Sequence, residues 1–506
     1  MSPFSSLKLI ALAVVLVAGL AIRKYRKRNG LRLPPGPRGL PIIGNLLDIP
    51  KETSWLVYED WAKSYGNVMS LEVFGQVIVI LQSPQAVKDL FEKRGATYSD
   101  RPLPTFYEMA RWDWFLPVAR SDDQWRAGRR ELERSLRPSS AVQYRPMLKA
   151  KTLEFLQRLV VRPENFKSHI EHLQSAINMA IVYGYEVKGR DDKFVNTVKD
   201  FVILAQKCAL PGALWVNDFP FLRHLPDWLP GTGFKVLAKK SCELGEEVIN
   251  GPLTFVKEGM LNGTAQPSMA LDRLRECKSA KEEREIAIAL GSLHAGGSDA
   301  MVAVLYTLFL VLVRDPSVQA RAQAELDAAT GGSRLPEFED RPSLPYIDAI
   351  CKELLRWKMI SPLAFPHATT EDDEYQGYFI PKGSFVIANA WSILHDPEAY
   401  PDPFAFKPER FLNADGQVID DPALSGVFGF GKRICPGRHL VDSMLFIAVA
   451  LVLSTFKVGK AKDAAGNEIP VEGTFFGTLL YQPSPFECSI VPRNQITLEL
   501  IAAAVE

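Results

Sequence analysis

Phe428-Gly429-Phe430-Gly431-Lys432-Arg433-Ile434-Cys435-Pro436-Gly437 decides the reading of this 506-residue chain. The decapeptide sets one cysteine in a glycine-bracketed loop, two residues after an arginine. An apolar run with helical character, residues 440–456, follows directly. Gly431 permits a sharp backbone turn, and Gly437 permits close passage past a flat group. Pro436 suits the first position of the following helix, where a missing N–H costs nothing. Cys435 then falls at the positive end of that helix, which favours a thiolate. A single thiolate held this way suits a haem iron, to which it donates electron density that promotes O–O cleavage. The alternative for an isolated cysteine is a core thiol, since free cysteine is among the most buried residue types.

The loop resembles the haem-binding loop of the cytochrome P-450 monooxygenases, Phe-x-x-Gly-x-Arg-x-Cys-x-Gly. Phe428, Gly431, Arg433, Cys435 and Gly437 fill every fixed place. The resemblance implies haem b as cofactor and Cys435 as the axial ligand of its iron. It also implies Phe428 packed beside the sulfur and Arg433 on a haem propionate. Trp125-Arg126-Ala127-Gly128-Arg129 matches the family's Trp-x-x-x-Arg segment, which implies Trp125 and Arg129 on the propionates. Taken alone, that stretch reads as a basic helix face. His367 occupies a place where relatives carry a propionate-binding His or Arg.

Glu353-Leu354-Leu355-Arg356 puts an acid and an arginine on one helix face. Pro408-Glu409-Arg410-Phe411 lies between it and Cys435, in the order the family shows. By resemblance, Glu353, Arg356 and Arg410 form a buried structural network behind the haem loop. A guanidinium fork suits such bidentate bonds better than an ammonium group.

The distal side departs from the family. Relatives carry Ala/Gly-Gly-x-Asp/Glu-Thr-Thr/Ser on a long helix, and its first threonine helps deliver protons to dioxygen. Here the stretch reads Gly296-Gly297-Ser298-Asp299-Ala300-Met301. Gly297 and Asp299 keep their places, but Ala300 has no hydroxyl. Paired glycines within a helix weaken it by roughly 1 kcal/mol each, and can open a local distortion. A register shifted to Ala295 would put Ser298 on the acid and Asp299 on the threonine. Asp299 with ordered water or a substrate hydroxyl is the expected proton source. Ala300 also leaves open a peroxide-leaking monooxygenase, a haem-thiolate isomerase or dehydratase, or a non-catalytic haem protein.

Lys+Arg and Asp+Glu both number 59, so no charge excess points to nucleic acid. The six cysteines are scattered, with no CxxC or His/Cys cluster to suggest zinc. Their dispersal fits a reducing compartment. Residues 9–22 are an unbroken apolar run, followed at once by Arg23, Lys24, Arg26, Lys27 and Arg28. The basic cluster lies after the run, which favours an uncleaved transmembrane helix over a signal peptide and puts the cluster in the cytosol. Residues 1–28 are therefore expected to be an anchor, single-pass in the endoplasmic reticulum membrane. Residues 29–45, with Leu33-Pro34-Pro35-Gly36-Pro37-Arg38-Gly39, read as a stiff proline-rich hinge like that of microsomal P-450 enzymes. Residues 46–506 form the catalytic domain on the cytosolic face.

Patterning predicts a mainly α domain with small β sheets, which is the class of the cytochrome P-450 fold. Helices are expected over 83–94, with Ser83 as N-cap and Pro84 first, and over 124–136, 144–160 and 195–208. Others are expected over 232–258 (kinked or broken near Pro252), 282–313, 316–329 and 345–357. Strands are expected at 68–73, 77–81, 385–390 and 486–491.

The family's recognition regions place Trp112, Trp114, Phe115, Leu363, Phe365 and Leu479 around the substrate. Their composition suggests a small hydrophobic molecule. Phe219-Pro220-Phe221 and residues 225–231 form an apolar loop suited to dip into a membrane interface. With Tyr98-Ser99-Asp100-Arg101-Pro102, it looks most like fungal P-450 enzymes of the O-methylsterigmatocystin oxidoreductase type, which serve secondary metabolism. The resemblance implies O2 as co-substrate and a separate NADPH–cytochrome P-450 reductase, which Arg126, Arg129 and Arg130 would help dock.

Overall fold

Helices supply most of the frame, and their bounds follow from caps and apolar periodicity. In the computed structural model, residues 30–189, 191–209, 213–477 and 480–504 are described. The anchor segment 1–28 and Leu479 lie outside the described residues. The main helices are α1 Ser54–Tyr65, α2 Asp123–Leu136, α3 Arg145–Val161, α4 Phe166–Tyr183, α5 Lys193–Ala209 and α6 Gly233–Asn262. They continue as α7 Ala280–Gly296, α8 Ala300–Arg314, α9 Pro316–Thr330, α10 Pro345–Trp357 and α11 Arg438–Thr455. The strands used below are β1 Val68–Val73, β2 Gln76–Leu81, β3 His367–Ala368, β4 Phe385–Ala388, β5 Phe456–Lys460 and β6 Cys488–Pro492.

Every residue from Met301 to Val313 in α8, and from Ser443 to Thr455 in α11, is buried. A helix apolar on all sides belongs in a core. The α7–α8 stretch and α11 match membrane spans in length and composition. Yet 72% of each apolar window is buried inside the protein, which marks them as core helices. α11 packs on α3 and α10, while α7 packs on α2 and α6. The sheet runs β1-β2-β4-β3, with β1 antiparallel to β2 and β2 parallel to β4. β3 is antiparallel to β4, pairing His367 with Val386, and the Ala368 N–H donates to the Asp100 carbonyl at 2.8 Å. This pairing brings His367 beside residues 98–101. β5 and β6 form a separate antiparallel pair.

Several sequence expectations shift for local reasons. Ser83 does cap, its Oγ accepting from the Ala86 N–H at 3.3 Å. The helix there is short, Pro84–Val87, and continues as a π-turn over Lys88–Lys93. α6 runs unbroken through Pro252, whose burial lets surrounding packing outweigh one lost backbone bond. The helix expected over 282–313 is two helices, interrupted at residues 297–299. The strand expected to reach residue 390 stops at Ala388, because Asn389 caps the next helix, Ala390–Leu394. Pro436 is not the first helical residue, since Gly437 is the N-cap of α11.

The proline-rich segment is seated on the sheet. The Ser70 hydroxyl donates to the Pro34 carbonyl at 2.6 Å, and the Ser70 N–H to the Pro35 carbonyl at 2.8 Å. Asn45 Nδ2 donates to the Pro37 carbonyl at 3.0 Å. A Cβ on Gly36 would stand 1.9 Å from the Ser70 oxygen. Gly36→Ala should therefore lift the segment off β1, at a cost of about 1–3 kcal/mol. Chemical denaturation and limited proteolysis at residues 34–39 will read this. A wild-type midpoint with unchanged protection would contradict the seating.

Candidate active site

The cysteine loop is built by two glycines. Gly429 and Gly431 adopt φ of 87° and 55°, the left-handed region that side chains rarely enter. A Cβ on Gly431 would stand 2.1 Å from the Phe91 carbonyl oxygen, so the loop lies directly against the π-turn. The Cys435 N–H donates to the Phe428 carbonyl at 2.7 Å and closes the loop. Burial pushes the Cys435 thiol up. The N–H groups of Gly437 and Arg438 and the charges of Arg129 and Arg438 act the other way, favouring the thiolate. Arg129 sits on the loop backbone, donating through Nη1 to the Ile434 carbonyl at 2.5 Å and through Nε to Glu133 at 2.8 Å. Phe428 lies in this loop and contributes the carbonyl that Cys435 uses.

Above the loop is a cradle of buried cations. Arg433 Nε donates to the Ser99 carbonyl at 2.7 Å, and Nη1 to the Leu116 carbonyl at 3.3 Å. Its guanidinium lies 4.0 Å from the centre of the Trp125 ring. Arg433 Nη2 is buried with no hydrogen-bond partner among the described residues. Arg101 donates through Nη1 to the Phe365 and Pro366 carbonyls, while its buried Nε has no partner among them. Burial lowers both groups, Arg433 to about 10 and Arg101 well below its usual range, and Arg433's charge lowers Arg101 further. His367 bonds the Tyr98 carbonyl through Nδ1 at 2.6 Å and stacks on Phe91 at 4.0 Å. Burial, then the Arg101 charge, hold it neutral.

Two neighbouring guanidinium groups with unspent donors fit the carboxylates of a bound cofactor. Haem meets that requirement with its propionates, and the Cys435 sulfur supplies an axial ligand. Residue motifs alone had not singled out Arg101. Its available signal was position, in the Tyr98-Ser99-Asp100-Arg101-Pro102 run, immediately before Pro102.

Glu353 and Arg356 on α10 are fully buried. Arg356 grips Glu353 with both prongs, at 2.7 and 2.8 Å, and also donates to the Leu394 and Pro403 carbonyls at 2.9 Å. Arg410 Nε reaches Glu353 at 3.2 Å, and the Lys407 N–H reaches it at 2.9 Å. The network thus ties α10 to the backbone of the 401–410 loop.

Gly297 and Asp299 lie in the interruption between α7 and α8, and Ala300 opens α8. Gly297 has φ −92° and ψ 1°, and Asp299 has φ −116° and ψ −26°. Asp299 Oδ2 accepts from Gln206 Nε2 at 3.4 Å, and burial pushes its carboxyl up. Ser298 Oγ is committed to the Ala295 carbonyl at 3.2 Å.

The aromatic residues expected around the substrate are tied into the packing between helices. The Trp112 indole donates to Ser241 Oγ of α6 at 2.7 Å. Trp114 and Phe115 meet Phe201 of α5 with ring centres 5.1 and 5.6 Å apart. The Leu116 N–H donates to Ser292 Oγ of α7 at 2.9 Å, so this stretch knits α5, α6 and α7 together. Leu363 packs beside the Trp391 and Met69 clusters, and Phe365 faces the Arg101 guanidinium at 5.9 Å.

A half-buried cysteine receiving backbone N–H groups, set beside paired guanidinium donors, defines a haem-thiolate site. This chain belongs to the cytochrome P450 family, whose model matches residues 34–488. It is 38% identical to cytochrome P450 monooxygenase COX2 of Coprinopsis cinerea, over 98% of this chain and 96% of that one. It is 40% identical to cytochrome P450 monooxygenase claR of Ampulloclitocybe clavipes, over 94% and 89%. It is 35% identical to tryptamine 4-monooxygenase of Psilocybe cyanescens, over 97% and 99%. The chain is a haem-thiolate monooxygenase that uses haem b, dioxygen, a redox partner and a hydrophobic substrate.

Glu353→Ala would leave two buried guanidinium groups without their shared carboxylate. It should cost about 3–5 kcal/mol in urea unfolding. Arg356→Lys should fall between that variant and wild type, because one ammonium cannot replace the fork. Equal stability of all three proteins would remove the network from the account.

Proposed function

We propose that this chain is anchored in the endoplasmic reticulum membrane by residues 1–28. Its catalytic domain, 46–506, then faces the cytosol and takes electrons from a separate NADPH–cytochrome P-450 reductase. There it oxidises a small hydrophobic molecule of fungal secondary metabolism, a terpenoid, polyketide or alkaloid. The observation that carries the membrane reading is a set of exposed large apolar side chains from the hinge and the 213–231 loop. Ile42, Trp215, Phe221 and Trp228 are 89%, 64%, 65% and 80% exposed. Phe219 contacts Phe74, Trp215 and Phe221 at 5.1, 5.9 and 6.1 Å, which joins the 213–231 loop to the β1–β2 turn. The Phe74 N–H donates to the Ile43 carbonyl at 3.5 Å, which adds the hinge. Exposed aromatic groups gathered in this way suit a membrane interface. The neighbouring basic run after the anchor supports a cytosolic orientation.

Cys435 would supply the axial thiolate. Arg433, Arg101 and Trp125 would hold the propionates, His367 would join them through Nε2 only once a propionate draws a proton onto it, and Arg129 would fix the loop carbonyl beside Cys435. When bound, the haem supplies the activation of dioxygen. Asp299 holds a proton more readily than an exposed carboxylate, which suits a group that must gain and return one. Ala300 cannot pass that proton on, so water or a substrate hydroxyl must complete the path. Arg126 and Arg130 on the exposed face of α2 suit an acidic redox partner. Arg129 is turned inward and does not serve that docking.

Incubating the full chain with reductase, NADPH and labelled dioxygen should place one labelled oxygen atom in a terpenoid, polyketide or alkaloid intermediate. Turnover without NADPH would favour an isomerase, and no product with any donor would favour a non-catalytic haem protein. With a substrate in hand, Ala300→Thr should raise product formed per NADPH, whereas unchanged coupling would count against the claim that the missing hydroxyl limits proton delivery. For the membrane reading, brominated lipids should quench Trp228 emission in vesicle-bound protein, judged against Trp228→Phe. Equal quenching of both proteins would place that loop away from lipid.

A further inference from the structure

The interruption of the distal helix is held by side chains from α4. In an unbroken helix, the carbonyls of His294, Ala295 and Gly297 would accept from the N–H groups of residues 298, 299 and 301. Each takes a different donor here. Asn178 Nδ2 donates to the His294 carbonyl at 3.0 Å. Ser298 Oγ donates to the Ala295 carbonyl, and Gln174 Nε2 donates to the Gly297 carbonyl. Gln174 and Asn178 stand four residues apart on α4, hence on one face, and are only 6% and 9% exposed. Asn178 approaches so closely that a Cβ on Gly297 would stand 3.3 Å from its amide nitrogen. Gly297 thus eases the fit as well as weakening the helix.

Residues 297–300 are half-buried, so a freed carbonyl there carries a cost when unpaired, and these carboxamides remove it. The donors freed by the same break remain. α8 opens at Ala300 with no side-chain cap from Asp299, so its first N–H groups face the gap. Gln174 Oε1 is buried with no hydrogen-bond partner among the described residues. Unspent N–H donors, an unspent carbonyl oxygen and the Asp299 carboxyl together supply the several polar partners that a buried water needs.

We propose that Gln174 and Asn178 are positioning residues that hold the distal helix open at residues 297–299. The opening houses water that carries protons from Asp299, in place of the hydroxyl that Ala300 lacks. This rests on reading α7–α8 as the distal helix of a haem-thiolate site. The test therefore uses full-length, haem-loaded protein whose reduced, carbon monoxide-bound spectrum has first been checked for the thiolate-shifted band. Failure of that check would indict the haem reading and not this one.

Gln174→Met keeps side-chain volume and removes the donor. The Gly297 carbonyl should then take the Met301 N–H, closing the helix. Hydrogen exchange of amides 298–303 should slow roughly fivefold, the factor equivalent to about one hydrogen bond, while α10 stays unchanged. With reductase and NADPH alone, Gln174→Met should release more peroxide per NADPH. Adding Ala300→Thr to that variant should reverse the rise, since a side-chain hydroxyl replaces the lost water. A purely structural role for Gln174 would not be rescued this way. Asn178→Leu carries the same expectations, so failure of one variant to fold leaves the other to decide. Unchanged or faster exchange at 298–303, or a peroxide yield that Ala300→Thr does not restore, would overturn the proposal.

Discussion

A sulfur anion must be held in a dry core, and the architecture follows from that requirement. Burial disfavours the Cys435 thiolate, and only nearby dipoles and charges can offset it. The loop therefore brings the Gly437 and Arg438 N–H groups to the sulfur and closes on the Phe428 carbonyl. It reaches that shape only through left-handed backbone at Gly429 and Gly431, with Gly431 pressed against Phe91. The buried core helix α11 fixes the loop on one side. On the other, the network of Glu353, Arg356 and Arg410 binds α10 to the 401–410 loop.

The same low-dielectric setting explains the cradle above. Arg101 and Arg433 are both depressed by burial, Arg101 also by the charge of Arg433 and Arg433 by that of Arg129, and each keeps a donor unspent. Such an arrangement is poorly balanced until anionic groups enter it, so cofactor binding and stability are coupled here. Haem b supplies both the iron that Cys435 suits and the carboxylates that these cations lack. The distal face solves a different problem. It has a carboxyl inclined to hold a proton, an opened helix and no hydroxyl at position 300.

Much of this was legible in the sequence because it rests on local chemistry. The helix of residues 345–357 and the strand of residues 68–73 fall where periodicity put them, since caps and apolar spacing decide both. The cysteine loop was legible because its residues lie within ten positions. Arg101 was not, because its partners are carbonyls at 365 and 366, far along the chain. Nor was the break between α7 and α8 wholly legible. Gly296-Gly297 weakens a helix, but two carboxamides on another helix determine where the break is held. The contacts of Trp112 and Trp114 were not legible either, because their partners, Ser241 and Phe201, lie far along the chain. The seating of the proline-rich segment was not legible either, because its partner, Ser70, is distant in sequence.

The central claim is that Cys435 holds haem iron as a thiolate, and one spectrum tests it most directly. Full-length protein loaded with haem, reduced and bound to carbon monoxide, should show the thiolate-shifted absorption band. Cys435→His, which keeps an iron ligand but removes the sulfur, should bind haem and lack that band. A wild-type spectrum without the band, or a Cys435→His spectrum that retains it, would contradict the account.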